Sequence, residues 1–323
     1  MLSGALICAC GAEPGSAAGG VAGLSAGGQA GAGASAGTGA SSGEGGAAAG
    51  GLGASTSGGA AGLGGLGGAS AGAAGFGAAG GVGGAGGAGG WMCDELDMPL
   101  PNAGIQAPPG LDGCSDGMAR IGTGLCMDRW EAFLVDISGE VDAAWSPYFS
   151  PGTRAMRAES APDAIPQGYI SGVQASAACA AAGKRLCARA EWELGCRGQA
   201  ARVYPYGFVR VAGACNDYRA QHPVVELFGT DESWIWGELD NPCISQQPNT
   251  LAPAGSFEQC MTPEGIFDLV GNLHEWTADP AGTFKGGFYV DATTNGAGCG
   301  YTTNAHSFNY SDYSTGFRCC SDE

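Results

Sequence analysis

Twelve cysteines between Cys93 and Cys320 constrain this chain more than any other feature, and the two further cysteines are Cys8 and Cys10. So many thiols are unusual in a reducing compartment unless they bind metal. No Cys-x-x-Cys pair occurs and the spacings do not repeat, so a zinc ribbon is not indicated. The even number of cysteines therefore predicts a disulfide-rich domain from an oxidising compartment.

Residues 11–90 consist almost entirely of glycine, alanine and serine, with Glu13 and Glu44 as their only charged residues. Such a segment has too few apolar side chains to offset roughly 1–2 kcal/mol per residue of backbone ordering entropy. We therefore expect a disordered tether with a root-mean-square reach on the order of 50 Å. A silk-like or glycine-helix element is the alternative, and the lack of a strict short period argues against it.

The first ten residues resemble the end of a bacterial lipoprotein signal, with Cys10 in the position of the lipidated cysteine. No Lys or Arg precedes the short apolar run, a departure that a start codon called too late would explain. The expectation is a lipid anchor at Cys10 in the bacterial cell envelope, at the outer membrane or surface. An ordinary cleaved signal on a secreted protein is the alternative. No apolar stretch of 18 residues occurs elsewhere.

The chain is strongly acidic, with 13 Lys and Arg against 31 Asp and Glu and a formal net charge of −18. A surface that tracks phosphates needs the opposite sign, so nucleic acid is not an expected partner. Divalent cations are compatible with this charge. Glycine-rich runs lie in the tether, with no preceding strand, which excludes a phosphate-binding loop.

Residues 118–323 are expected to form an α+β domain of low regular secondary structure, after a proline- and cysteine-containing lead-in over 91–117. Residues 118–121 and 125–131 alternate as a half-buried strand pair does. Ser171 and Gln174 form a capping box that predicts a helix, and Gly183 predicts its end. A second helix is expected over about 188–196, ending near Gly198.

Four motifs, in order along the chain, carry a family resemblance: Gly183–Leu186, Ala190–Glu193, Gly265–Trp276 and Gly316–Cys320. Over residues 118–320 the chain resembles the formylglycine-generating enzyme (sulfatase-modifying factor) family. The resemblance implies a C-type-lectin-like fold with little regular secondary structure. It also implies two disulfides, which are Cys179–Cys319 and Cys196–Cys299. Proximity and parity suggest the remaining pairs as Cys93–Cys114, Cys243–Cys260, Cys187–Cys215 and Cys126–Cys320.

Asp268 and Glu275 stand seven residues apart around a Gly271-Asn272 turn, which would bring hard oxygen ligands toward one centre, as calcium prefers. A solvated turn with two surface acids is the alternative. The resemblance implies a structural calcium held by the side chains of Asp268 and Glu275 and the carbonyls of Gly271 and Leu273. It also implies a second calcium site that begins at Asn216.

The resemblance further implies a copper oxidase that uses two cysteines shortly before Cys299. The corresponding segment, residues 289–298, contains no cysteine. Because thiolates hold Cu(I) in such a site, we expect no copper and no catalytic residue. A related iron oxygenase takes three histidines from an extra domain, whereas this chain has His222, His274 and His306 alone. Packed or exposed structural histidines are the more ordinary interpretation.

Binding of an extracellular peptide or carbohydrate is therefore the expected function, with the loops carrying recognition. Aromatic residues late in the chain are candidates for lining a groove, or equally for forming a core. They are Phe284, Phe288, Tyr289, Tyr301, Phe308, Tyr310 and Tyr313. The alternatives are a formylglycine-generating oxidase or related oxygenase with a displaced metal site, and an inert spacer or surface-coat protein.

Overall fold

A computed structural model describes residues 93–322 of the chain. Cys10, the predicted signal and the predicted tether lie outside the described residues. In the described part, eleven short strands, three α-helices and two 3₁₀ helices are separated by long loops. None of these helices has the length and apolarity that a bilayer crossing requires. The fold is α+β with low helix content, as the sequence predicts.

The strands contain two to five residues each and belong to three small sheets. In chain order they are β1 (Met118–Gly122), β2 (Leu125–Asp128), β3 (Phe133–Asp136), β4 (Ala143–Ala144), β5 (Met156–Glu159), β6 (Arg185–Leu186), β7 (His274–Trp276), β8 (Phe284–Lys285), β9 (Thr302–Thr303), β10 (Thr315–Phe317) and β11 (Cys319–Asp322). The sheet orders are β1-β2-β11-β6, β10-β7-β8-β9 and β4-β3-β5. The last two strands of the chain thus join two different sheets.

Helix α1 (Gly172–Ala181) begins where the sequence predicts. The Ser171 hydroxyl accepts a hydrogen bond from the Gln174 amide, and the Gln174 side chain accepts one from the Ser171 amide, which completes the capping box. Helix α2 (Arg189–Arg197) ends at Gly198, also as predicted. The β1–β2 hairpin is antiparallel, with Met118 opposite Asp128, so the predicted strand pair is confirmed.

Helix α3 (Pro223–Phe228) is not among the predicted elements. Pro223 occupies the first turn, where a missing amide proton costs nothing, and the His222 Nδ1 accepts a hydrogen bond from the Val224 amide. Six residues are too few to show a helical period, so the sequence pattern predicts a loop here. The two 3₁₀ helices are Ser233–Gly237 and Gly298–Gly300.

All twelve cysteines of the described part form disulfides. Two of the bonds, Cys179–Cys319 and Cys196–Cys299, are the pairs that the family resemblance implies. The four pairs suggested by proximity are wrong. The observed bonds are Cys93–Cys243, Cys114–Cys126, Cys187–Cys320 and Cys215–Cys260.

The position of β11 explains why proximity failed. This strand lies between β2 and β6, where Cys319 is opposite Leu186 and Cys320 opposite Arg185. Successive side chains of a strand point to opposite faces. Cys319 therefore meets Cys179 of α1 on one face, while Cys320 meets Cys187, which follows β6, on the other. Pairing follows strand order rather than distance along the chain.

The start of the lead-in packs on the domain instead of closing a loop between Cys93 and Cys114. Cys93 is bonded to Cys243, 150 residues away. The Asn102 side chain donates to the Ile165 carbonyl and accepts from the Ile165 amide, at 2.8 Å each. These contacts attach residues 93–102 to the body of the fold.

Candidate functional site

The turn between Asp268 and Glu275 is buried, not solvated. Asp268 is 3 % exposed and Glu275 is 1 % exposed. Asp268, Gly271 and Asn272 all have positive φ angles, of 57°, 80° and 57°. A Cβ at Gly271 would lie 2.1 Å from the Asn216 carbonyl oxygen, so only glycine fits there. The sequence motif therefore encodes a tight buried turn.

Strand pairing brings the C-terminal motif onto this turn. Strand β10 runs parallel to β7, with Gly316 opposite Glu275 and Phe317 opposite Trp276. Arg318 consequently reaches Glu275, and its Nε and Nη2 each donate to one carboxylate oxygen at 2.6 Å. The Trp192 indole of α2 donates to the same carboxylate at 2.6 Å. Glu275 is thus held by a bidentate buried ion pair and a third donor.

A third buried acid lies beside the turn, and sequence reasoning missed it. Glu131 accepts hydrogen bonds from the Asn272 side chain and from the Leu273 amide, the latter at 3.0 Å. Burial, followed by the charges of Glu275 and Asp268, raises the pKa of Glu131 well above its usual range. An acid that follows an apolar strand is the one signal in the sequence that could have indicated it.

Asp268, the remaining acid of the three, is held by a backbone hydrogen bond. Its Oδ2 accepts from the Gly255 amide at 2.7 Å, and burial raises the pKa of its carboxyl to about 7. Arg318, facing Glu275, is the cation that acts on all three carboxyls. Three acids against one guanidinium leave this cluster with an excess of negative charge when ionised.

A guanidinium faces both carboxylate oxygens of Glu275 in this arrangement, so a calcium ion would share this carboxylate with Arg318. The predicted second site starts at Asn216, whose amide donates to the Thr250 carbonyl and to Asn272 Oδ1, at 2.9 Å each. Within residues 93–322, no three His, Cys, Asp or Glu side chains are grouped so as to hold a metal. Asp268 and the Gly271 and Leu273 carbonyls remain on one turn, so calcium binding stays a prediction.

Residues 289–298, where the resemblance places the copper cysteines, form a turn around Asp291. Its carboxylate accepts from the Thr293 amide and hydroxyl at 2.9 and 2.7 Å, and from the Thr294 amide at 3.1 Å. Cys299, just beyond the segment, is bonded to Cys196. The described part of the chain thus offers no thiol for a metal here.

A cavity of about 150 Å³ adjoins this segment, and we call it the His274 cavity. Its lining includes His274, Phe284, Asn295, Tyr301, His306 and Asp312. The His274 ring packs against Phe284 and Tyr301 with ring centroids 5.4 and 5.5 Å away. Its Nδ1 is buried and has no hydrogen-bond partner in the described structure, and burial lowers the pKa of this imidazole to about 3.

Another part of the wall of the His274 cavity is a connected polar network. The exposed His306 ring stacks on Tyr310 at 3.7 Å. The Tyr310 hydroxyl donates to Asp312 Oδ2 at 2.7 Å, and the Ser314 amide and hydroxyl donate to Asp312 Oδ1. Burial raises the pKa of Asp312. This wall therefore holds a carboxyl that is fixed in position by three donors.

The predicted aromatic residues and histidines differ in whether they lie in the core or line the His274 cavity. Phe284, Tyr289, Tyr301 and Tyr313 are buried in the core, although Phe284 and Tyr301, together with Tyr310, also line the His274 cavity. His274 and His306 border the same cavity. His222 does not, because its Nε2 lies 3.2 Å from the Tyr313 hydroxyl and its Nδ1 caps α3.

A wider cleft of about 760 Å³ lies near Asn216, and we call it the Arg210 cleft. Its polar wall is an ion pair in which Arg210 holds the buried Asp217 at 2.9 Å. Tyr218, 71 % exposed, and the half-buried Phe257 also line it. The charges of this wall therefore neutralise each other.

Comparison with known proteins gives consistent matches. Residues 128–322 match the family described as the sulfatase-modifying factor enzyme 1-like domain. A Mus musculus protein named "Inactive C-alpha-formylglycine-generating enzyme 2" is 28 % identical over 168 residues, which is 49 % of this chain and 49 % of that protein. The chain thus spans about half the length of this curated relative.

Among solved structures, PvdO from Pseudomonas aeruginosa matches at 17 % identity with a TM-score of 0.39. That match covers 62 % of this chain and 80 % of the other.

Proposed function

This chain belongs to the sulfatase-modifying factor enzyme 1-like family, and we propose that it is a binding member of that family without the copper oxidase activity. The observation that carries the proposal is the disulfide set, which takes up all twelve cysteines of residues 93–322. A thiol held in a disulfide cannot ligate Cu(I) as a thiolate.

The residues that stand where the copper cysteines are expected do not fit copper. Asp291 and Thr293 supply hard oxygen atoms that already hydrogen-bond one another, and the Thr294 amide donates to the same carboxylate. Cu(I) prefers soft sulfur ligands. The mouse relative is named as inactive, which agrees with loss of the reaction in this branch of the family. The alternative remains a formylglycine-generating oxidase or related oxygenase with a metal site elsewhere.

We assign ligand recognition to the loops around the His274 cavity. The family resemblance implies that these loops belong to a C-type-lectin-like domain. Concave sites with a few fixed polar groups are the usual places for ligands. His274 and Asp312 provide such groups, both of them buried. The proposed ligand is an extracellular peptide or carbohydrate.

The proposed setting is the bacterial cell envelope, with a lipid anchor at Cys10 and residues 11–90 as a tether, or secretion after cleavage. Six disulfides favour an oxidising compartment. Calcium stabilisation through Asp268 is a secondary proposal, in which the ion shares the turn with Arg318.

The test is a turnover assay on the full chain, loaded with Cu(I) and given a sulfatase-type cysteine peptide. Mass spectrometry would follow the loss of the thiol and the gain of the aldehyde, with an active formylglycine-generating enzyme as the positive control. We expect no aldehyde above the no-enzyme control and no thiol in residues 93–322 by peptide mapping. Turnover above that control would refute the binding-only proposal.

A further inference from the structure

The His274 cavity contains a polar atom whose requirement the protein itself does not meet. His274 is 8 % exposed and lines the cavity, and its Nδ1 has no partner among the described residues. Native proteins rarely leave a buried nitrogen unpaired without a reason. A ligand group that pairs with this nitrogen as it displaces solvent from the cavity would bind more tightly for that contact.

The rest of the lining indicates what such a ligand looks like. Thr303, Ser314 and Asn295 contribute small polar groups, and the Asn295 amide donates to the Tyr301 hydroxyl at 3.1 Å. Tyr301 and Tyr310 add flat rings with polar ends. Hydroxyls and an amide beside aromatic rings suit a compact molecule that has many hydrogen-bonding groups and a partly apolar face.

The charge and the volume of the cavity limit the ligand class further. The Asp312 carboxyl and a chain net charge of −18 disfavour an anion. A volume of about 150 Å³ corresponds to about five water molecules, which leaves room for one small ring and not for several peptide side chains. A hydroxyl can also pair with either tautomer of His274, since it both donates and accepts.

We propose that the His274 cavity binds one uncharged sugar ring of a glycan. The inference rests on the proposed binding function and specifies its ligand class. In it, a sugar hydroxyl pairs with His274, while the ring lies against the Tyr301 and Tyr310 side of the cavity. His306 closes the exposed side through its stack on Tyr310.

The probes are the methyl glycosides of glucose, galactose, mannose and N-acetylglucosamine, with methyl glucuronide as the anionic counterpart. Binding to the full chain would be measured by saturation-transfer NMR and calorimetry. At least one neutral glycoside should bind at least tenfold more tightly than the glucuronide. His274→Phe, which keeps a ring and removes the nitrogens, should weaken that binding by about tenfold or more.

Exposed or conservative variants protect the test against misfolding. His306→Ala and Thr303→Val should each weaken binding severalfold, whereas Tyr218→Ser in the Arg210 cleft should leave it unchanged. Absence of neutral glycoside binding, or binding that only Tyr218→Ser disturbs, would overturn the inference. Peptide binding without glycoside binding would overturn it too, yet would leave the binding function intact. Failure of the proposed function would appear separately, as peptide oxidation.

Discussion

Replacing Glu275 by glutamine should be the most damaging conservative change in this domain. The glutamine would keep the volume and a hydrogen bond to Trp192 but would remove the carboxylate that contacts the buried Arg318 guanidinium directly. The raised pKa values of Glu131 and Asp268 make these two acids poor substitutes for it. Breaking a buried ion pair by removing one partner costs about 3–5 kcal/mol. For a domain of this size, each kcal/mol lowers Tm by about 2–4 °C, so we expect a fall of roughly 6–20 °C.

The measurement is urea unfolding of oxidised wild type and of Glu275→Gln, each with and without calcium and with a chelator. Glu159→Gln is the matched control, because Glu159 pairs with Arg157 at 2.9 Å in a partly exposed position. Its loss should cost at most about 1 kcal/mol. The Glu275→Gln/Arg318→Met variant should recover part of the lost stability, since it removes the buried guanidinium that has lost its direct partner.

Two results would refute this reasoning. A cost for Glu275→Gln as small as that of the Glu159→Gln control would mean that the pair with Arg318 contributes little. A chelator that lowers wild-type stability by the full amount, with no effect on the variant, would mean that calcium and not Arg318 is the partner of Glu275. The experiment thereby also decides the calcium prediction.

Two further predictions concern the cross-links and the pH dependence. The Cys179–Cys319 and Cys187–Cys320 disulfides join the same two segments, so loss of either one alone should lower the free energy of unfolding by about 3 kcal/mol. Loss of both should exceed the sum of the two single losses by about 1 kcal/mol. A purely additive result in urea unfolding would count against this shared role. Burial and the nearby Arg219 charge lower the pKa of His222 to about 4, below its ordinary value of 6.5, so the folded state resists protonation. The free energy of unfolding should therefore fall as pH drops from about 6.5 to about 4. The His222→Asn variant, which keeps the cap of α3, should lose this part of the pH dependence. An unchanged pH dependence in the variant would contradict the assignment.

The sequence by itself determined those features that depend on neighbours in the chain. The α1 cap needs only Ser171 and Gln174, three residues apart, and both helix ends fall at predicted glycines or within two residues of them. The β1–β2 hairpin follows from local alternation. The lack of cysteines in 289–298 is likewise read directly from the sequence, and the proposed function depends on it.

The family motifs allowed some disulfide pairs to be predicted, because the family resemblance implies which distant segments meet in the fold. The pairs Cys179–Cys319 and Cys196–Cys299 came from that resemblance, whereas the four pairs suggested by proximity are wrong. Loop closure entropy changes slowly with loop length, so nearness in sequence gives one cysteine pairing little advantage over another. Strand order, which proximity does not encode, decides the partner.

Only the tertiary structure decided the chemistry of the site. Arg318 meets Glu275 because β10 runs parallel to β7, and this contact places a buried ion pair at a predicted calcium ligand. Likewise, His274 of β7 and His306, which follows β9, border one cavity because β8 pairs with both of these strands. Local sequence sets helices and turns through contacts a few residues apart, whereas a buried charge or a cavity depends on segments that meet across the whole domain.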